Sequence, residues 1–109
     1  MNDFKLKIQQ SANKNIFFTI HAAQQCISKD RMISPKEIRK VINCFDIIEN
    51  YPFDIRGHIC LIGGKGDNKR AVHLVCYPTE NYLQIITAYL PEEKKWNNNS
   101  NQREDIWNV

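Results

Sequence analysis

Apolar residues recur at helical spacing near the start of the chain, where Phe4, Ile8 and Ala12 define a helix over about 3–13 that Asn2 or Asp3 can cap. Asn13-Lys14-Asn15 breaks the pattern, and the short, aromatic Ile16-Phe17-Phe18-Thr19 reads as an extended segment. Thr19 caps a second predicted helix over about 20–29, with Ile20, Ala23 and Ile27 as its apolar stripe and His21, Gln25 and Ser28 on a neighbouring polar one. The third helix carries the clearest signal. Ser34-Pro35-Lys36-Glu37 combines a capping box with proline in the first turn, and Ile38, Val41, Ile42 and Phe45 follow at i, i+3, i+4 and i+7. Beyond it 46–51 reads as extended, Pro52 ends that stretch, and 53–57 reads as a loop. Strands are predicted at 58–62, 70–77 and 82–89, separated by Gly63-Gly64-Lys65-Gly66-Asp67-Asn68 and Pro78-Thr79-Glu80-Asn81. Helices first and a meander afterwards imply an α+β fold: N-terminal helices packed on one face of a 3–4-stranded antiparallel sheet, with the other face partly open.

Composition narrows this picture. At 109 residues the chain has room for one domain, expected over 4–96, with the asparagine-rich 97–109 as a loosely ordered tail. Apolar residues make up 42% and charged residues 25%, the balance of a globular domain rather than of a disordered or repetitive chain. A core of this size leaves space for a shallow surface cleft, not for a large enclosed cofactor pocket. No apolar run approaches the roughly 20 residues of a membrane span, and Met1-Asn2-Asp3-Phe4-Lys5 precedes no signal-peptide core, so a cytoplasmic location is expected. Cys26, Cys44, Cys60 and Cys76 stand 18, 16 and 16 apart without a Cys-x-x-Cys pair, which predicts free, mostly buried thiols. The formal charge of +3 is uneven: residues 1–44 carry eight bases against three acids, a net +5, and the rest seven against nine, a net −2. A basic half suits an anionic partner such as RNA or an acidic protein, although helices also carry lysines on solvated faces.

Candidate chemistry centres on a histidine within a strand. In Arg70-Ala71-Val72-His73-Leu74-Val75-Cys76, alternation puts Val72, Leu74 and Cys76 toward the core and Ala71, His73 and Val75 on the open face. There an imidazole can exchange a proton near neutrality; the alternative is a histidine hydrogen-bonded within the sheet. Thr87 and Tyr89 share one face of the last strand, where two hydroxyls could orient a phosphate or serve only the core. If paired residue numbers sum to 158 they lie on His73's side, and a sum of 159 puts them opposite. Gly63-Gly64-Lys65-Gly66 lacks the spacing and the following helix of a phosphate loop and reads as a strand connection. No metal-binding or serine-hydrolase motif occurs, so no metal or cofactor is expected.

Several fragments stand in a fixed order: Thr19-x-His21-Ala22, Arg31-x-Ile33-Ser34, Ile48-Glu49-x-Tyr51-Pro52, Cys60-Leu61-Ile62-Gly63, His73-x-Val75, Ile86-Thr87-Ala88-Tyr89-x-Pro91 and Trp96. Together they resemble DUF4258, a domain-of-unknown-function family, from Phe4 to about Arg103. The resemblance implies membership of the RelE/BrnT-like toxin group: a RelE/barnase-like fold, cleavage of RNA in the active members, and a cognate antitoxin protein as partner. It carries over His21, Arg31, His73, Thr87 and Tyr89 as site residues. This chain departs from the family pattern with Gln25 one turn after His21, where arginine is common, and with a His21-to-Arg31 interval about two residues longer. The function so implied is a toxin acting as a metal-free endoribonuclease through attack of the ribose 2′-hydroxyl. His73 would act as base or acid with His21 as its partner, Arg31 or Arg70 would stabilise the phosphate, Tyr89 would stack or donate, and exposed lysines such as Lys29 would hold the backbone. The alternative is a non-catalytic binding module of the same fold, holding a protein or nucleic acid through the basic half.

Overall fold

The computed structural model describes residues 2–91, and the expectations for Trp96 and for 97–109 lie outside them. The described chain is α+β, with helices α1 (Asn2–Lys14), α2 (Ile20–Ile27) and α3 (Pro35–Asn43). The strands are β1 (Ile16–Phe18), β2 (Phe45–Asp54), β3 (Gly57–Lys65), β4 (Ala71–Pro78) and β5 (Leu83–Tyr89). They form one five-stranded sheet in the order β1-β5-β4-β3-β2. The sheet is therefore larger than the three or four strands expected, and mixed, because β1 runs parallel to β5 through Ile16↔Leu83 to Phe18↔Ile85. Parallel neighbours need a long connection, and here the chain from α2 through β4 supplies it.

Helix α3 forms as its caps dictate. The Ser34 hydroxyl accepts from the Glu37 N–H at 3.0 Å and Pro35 opens the first turn, while Ile38, Val41 and Ile42 are buried. Phe45, expected as its last apolar position, instead opens β2 and remains buried. In α2 the predicted apolar stripe points the wrong way: Ile20 and Ile27 are each 79% exposed, and Ala22 and Cys26 face the core. An eight-residue helix has little apolar surface to orient it. The Thr19 hydroxyl accepts from Ala22 N–H at 3.0 Å and donates to Ile86 C=O at 3.0 Å, and the Gln25 side chain accepts the Ala88 N–H at 2.9 Å. These bonds turn the polar stripe toward the β5 edge that three-residue β1 leaves unpaired.

Two strands outrun their predictions. β2 passes through Pro52, which an edge strand tolerates at a register shift, here between Tyr51 and Asp54. β3 continues through Gly63-Gly64-Lys65, so these residues are strand, not loop. The core between helices and sheet includes Ile8, Ile38, Val41, Ile62, Val72, Leu74 and Ile85, and a second small cluster of Ile59, Leu61, Val75 and Tyr89 lies on the sheet's other face. All four cysteines are free, with Cys44 exposed and the others buried. No helix among the described residues is long and apolar enough to cross a membrane.

Candidate active site

The face away from the helices is built by register. β4 and β5 pair as His73↔Tyr89, Leu74↔Ala88 and Val75↔Thr87, then shift by one, so that Cys76 meets Ile85. Neither expected sum holds: paired numbers sum to 161 beside the turn and to 162 beyond Ile86, an extra residue that bulges out of the ladder. The bulge lets Ile85 and Ala88 both face the helices and still brings Thr87 and Tyr89 to the side of His73. Across the sheet, Asp46, Gly63, His73 and Tyr89 stand opposite one another in a single row.

That row sets the geometry of the imidazole. His73 Nδ1 and the Tyr89 hydroxyl are 2.8 Å apart, with the rings edge to face at 5.2 Å. The opposite edge of the ring leans over Gly63: a Cβ there would lie 2.8 Å from His73 Cδ2 and 3.1 Å from Nε2. Ile48, thrown to this face by a second bulge between Ile47 and Glu49, meets the same spot, its Cδ1 at 2.7 Å from that Cβ position. Gly63 thus serves as a bare floor, the usual reason for glycine inside a strand where something approaches closely. Partial burial lowers the His73 pKa from near 6.5 to about 4, so the imidazole is neutral at physiological pH. Around it opens a groove of about 430 Å³ whose lining includes Lys5, Cys44, Asp46, Ile48, Lys65 and His73. None of these groove partners was singled out from sequence, although the Gly63-Gly64 pair was a usable sign once placed in a strand.

The other expected residues are distributed unevenly. Thr87 is on the His73 face but only 2% exposed, a core position. His21 lies in the first turn of α2, half-buried, and its Nε2 is enclosed without a hydrogen-bond partner among the described residues. Arg31 is half-buried in the loop between α2 and α3, near enough for its charge to favour the Cys26 thiolate against burial, which raises that thiol. Arg70 belongs to the fold: its Nε and Nη2 each donate to the fully buried Glu37 carboxylate at 2.6 Å, and Nη2 also reaches Met32 C=O at 3.4 Å. Lys29 is exposed just beyond α2. Thus His73 and Tyr89 are joined directly, while Arg70, just before β4, reaches the carbonyl of Met32, the residue that follows Arg31. No group of three or more His, Cys, Asp or Glu side chains among the described residues could hold a metal ion.

A family model described as "Domain of unknown function (DUF4258)" matches residues 18–90. No curated protein and no solved structure matches the chain.

Proposed function

The chain belongs to the DUF4258 family, and from that premise and the geometry above we propose that it is a RelE/BrnT-like toxin that cleaves RNA in the groove over Gly63. The observation that carries this reading is the His73–Tyr89 pair, a neutral imidazole held by a hydroxyl on one edge and leaning over a glycine floor on the other. With the proton on Nδ1 donated to the Tyr89 oxygen, Nε2 takes the proton of a ribose 2′-hydroxyl. The 2′-oxygen forms a bond to phosphorus, the bond from phosphorus to the 5′-oxygen breaks, and the proton passes to that leaving oxygen. The products are a 2′,3′-cyclic phosphate and a free 5′-hydroxyl, and the internal nucleophile requires no metal-activated water. Lys5 and Lys65, which line the groove, supply positive charge for the phosphates. Proton transfer of this kind contributes about 10² to 10⁴ in rate. RNA is the substrate, and a cognate antitoxin covering the groove is the expected partner.

The test is incubation of end-labelled RNA with the purified protein. Fragments ending in cyclic phosphate are expected, lost with His73→Ala and reduced with Tyr89→Phe; intact RNA after treatment with unmodified protein overturns the reading. A second reading, a binding module of the same fold, is favoured by one feature: Arg70 is engaged by the buried Glu37, and Gln25, where a cation is common, is engaged by the Ala88 N–H. It predicts salt-dependent RNA or protein binding that His73→Ala leaves unchanged.

A further inference from the structure

Two apolar features lie at opposite corners of the molecule. One is a knob. At the β2–β3 turn Phe53 is 95% and Ile55 99% exposed. The turn is braced, because Arg56 donates to the Asp54 carboxylate from its backbone N–H at 2.9 Å, from Nε at 3.0 Å and from Nη2 at 3.2 Å. Large apolar side chains held out together on a braced tip lose little freedom when a partner takes them up. The other feature is a hole. Phe18, Ala23, Cys26, Ile27, Ile33 and Pro35 line a hollow of about 150 Å³ between β1, α2 and the start of α3. A hollow of that volume with apolar walls accepts one benzene-sized ring.

We propose that the hollow receives Phe53 of a second copy of this chain, joining copies head to tail. The ring suits the volume in size and the walls in chemistry. The charges agree as well: the hairpin that carries the knob, residues 45–58, holds three acids against one base, net −2, and residues 28–36 beside the hollow hold three bases against one acid, net +2. A chain's own knob is out of reach of its own hollow. β1 and β2 are the two edges of the sheet, four strand spacings or roughly 19 Å apart. Along the strands the features also stand at opposite ends, since Gly57 of the turn lies against the Tyr77 ring near the end of β4, whereas the α2–α3 loop meets Arg70 just before β4 begins. Knob and hole on different surfaces make a heterologous contact, which repeats from copy to copy instead of closing as a two-fold dimer does. A contact centred on one ring is smaller than the roughly 800 Å² per partner of a standard interface, so the association is weak and concentration-dependent.

Sedimentation equilibrium of the full-length protein, at concentrations up to about 1 mM, should give an average mass that climbs past that of two chains. Phe53→Ser and, separately, Ala23→Arg should each hold the mass at one chain; both positions are exposed, so the far-ultraviolet circular dichroism should be unchanged. Mixed one to one, the two variants should recover a mass that stops at two chains, because the knob of the Ala23→Arg chain still fits the hollow of the Phe53→Ser chain while every further contact is blocked. Leu6→Ser, which removes an exposed apolar side chain from α1, should assemble like the unmodified protein. A one-chain mass at every concentration overturns the proposal, as does an unmodified mass that levels off at two chains. Assembly that survives either substitution, a mixture that stays at one chain, or an equal loss in Leu6→Ser overturns it too. The readout needs no RNA and is independent of the proposed cleavage.

Discussion

Removal of the Glu37 carboxylate tests what ties the helical layer to the sheet. Glu37 stands at the third position of α3, where a capping box would turn its side chain back toward Ser34. Instead it points at the β3–β4 connection, accepting from Arg70 Nε and Nη2 at 2.6 Å each and from the Asp67 N–H at 2.9 Å. Gly66 makes room, since a Cβ there would lie 2.3 Å from Glu37 Oε2. The carboxylate is fully buried while the Arg70 side chain is 31% exposed. Breaking a fully buried pair by deleting one member costs about 3–5 kcal/mol. Rehydration of the partly exposed guanidinium lowers the expected cost of Glu37→Ala to about 2–4 kcal/mol, a large share of the roughly 5–15 kcal/mol that holds a domain folded. The neighbouring Lys40–Asp67 bridge, with side chains 57% and 47% exposed, cannot compensate. In urea, with a slope of about 1.5 kcal/mol per molar, the midpoint should fall by about 2 M. Arg70→Met placed on Glu37→Ala should add little further loss, because the ion pair it would break is already gone. A Glu37→Ala cost below about 1 kcal/mol, or two substitutions that simply add, would refute the assignment of this pair as the link.

Three further outcomes follow from the site and its supports. The folded pKa of His73, about 4, lies below the unfolded value near 6.5, so the unfolded chain binds the extra proton between them. Stability from this group is therefore complete above pH 6.5 and lost as pH falls toward 4, by about 1–3 kcal/mol once the exposed part of the ring is discounted, and pH-dependent unfolding of His73→Gln should lack that fall. Gly63→Ala puts a methyl where Ile48 and His73 now meet, so cleavage should drop while stability falls by about 1–3 kcal/mol; unchanged turnover in that variant would show that the floor is not where substrate sits. Gln25→Leu strips the Ala88 N–H of its acceptor and should cost about 1–2 kcal/mol, with faster hydrogen exchange at the Ala88 amide as the local check.

Much of the fold was legible because periodicity and caps agreed. Ser34, Pro35 and the i, i+3, i+4 spacing fixed α3, and alternation in β4 correctly separated Val72, Leu74 and Cys76 from Ala71, His73 and Val75. What failed depended on long-range bonds. The α2 stripe turns away from the core because Thr19 and Gln25, bound to Ile86 and Ala88 some sixty residues away, orient that helix more than its apolar content does. Gly63-Gly64 resembled a loop because glycine disfavours strands locally, yet β2 and β4 hold it in ladder from both sides. Of the site, His73 and Tyr89 were readable from type and alternation. Asp46, Ile48 and Lys65 were not, since only the register across three strands shows that they border the same floor.

The bulge at Ile86 links the core to the chemistry. Without an extra residue, β5 would continue the pairing set by Pro78↔Leu83 and Cys76↔Ile85, and His73 would stand opposite Ala88 instead of Tyr89. Ala88 would then leave the helical core, the hydroxyl that holds Nδ1 would turn to the other face, and the amide that Gln25 now binds would change. The same insertion satisfies both layers: Ile85 and Ala88 face the helices on either side of it while Tyr89 reaches the imidazole. Gln25 follows from this arrangement as well. β1 covers β5 only as far as Ile85, so the amide of Ala88 needs an acceptor from α2, and an arginine at that position would offer donors to a donor. Position 25 in this chain is therefore committed to closing the sheet edge, and among the described residues that line the His73 groove the positive charge is carried by Lys5 and Lys65.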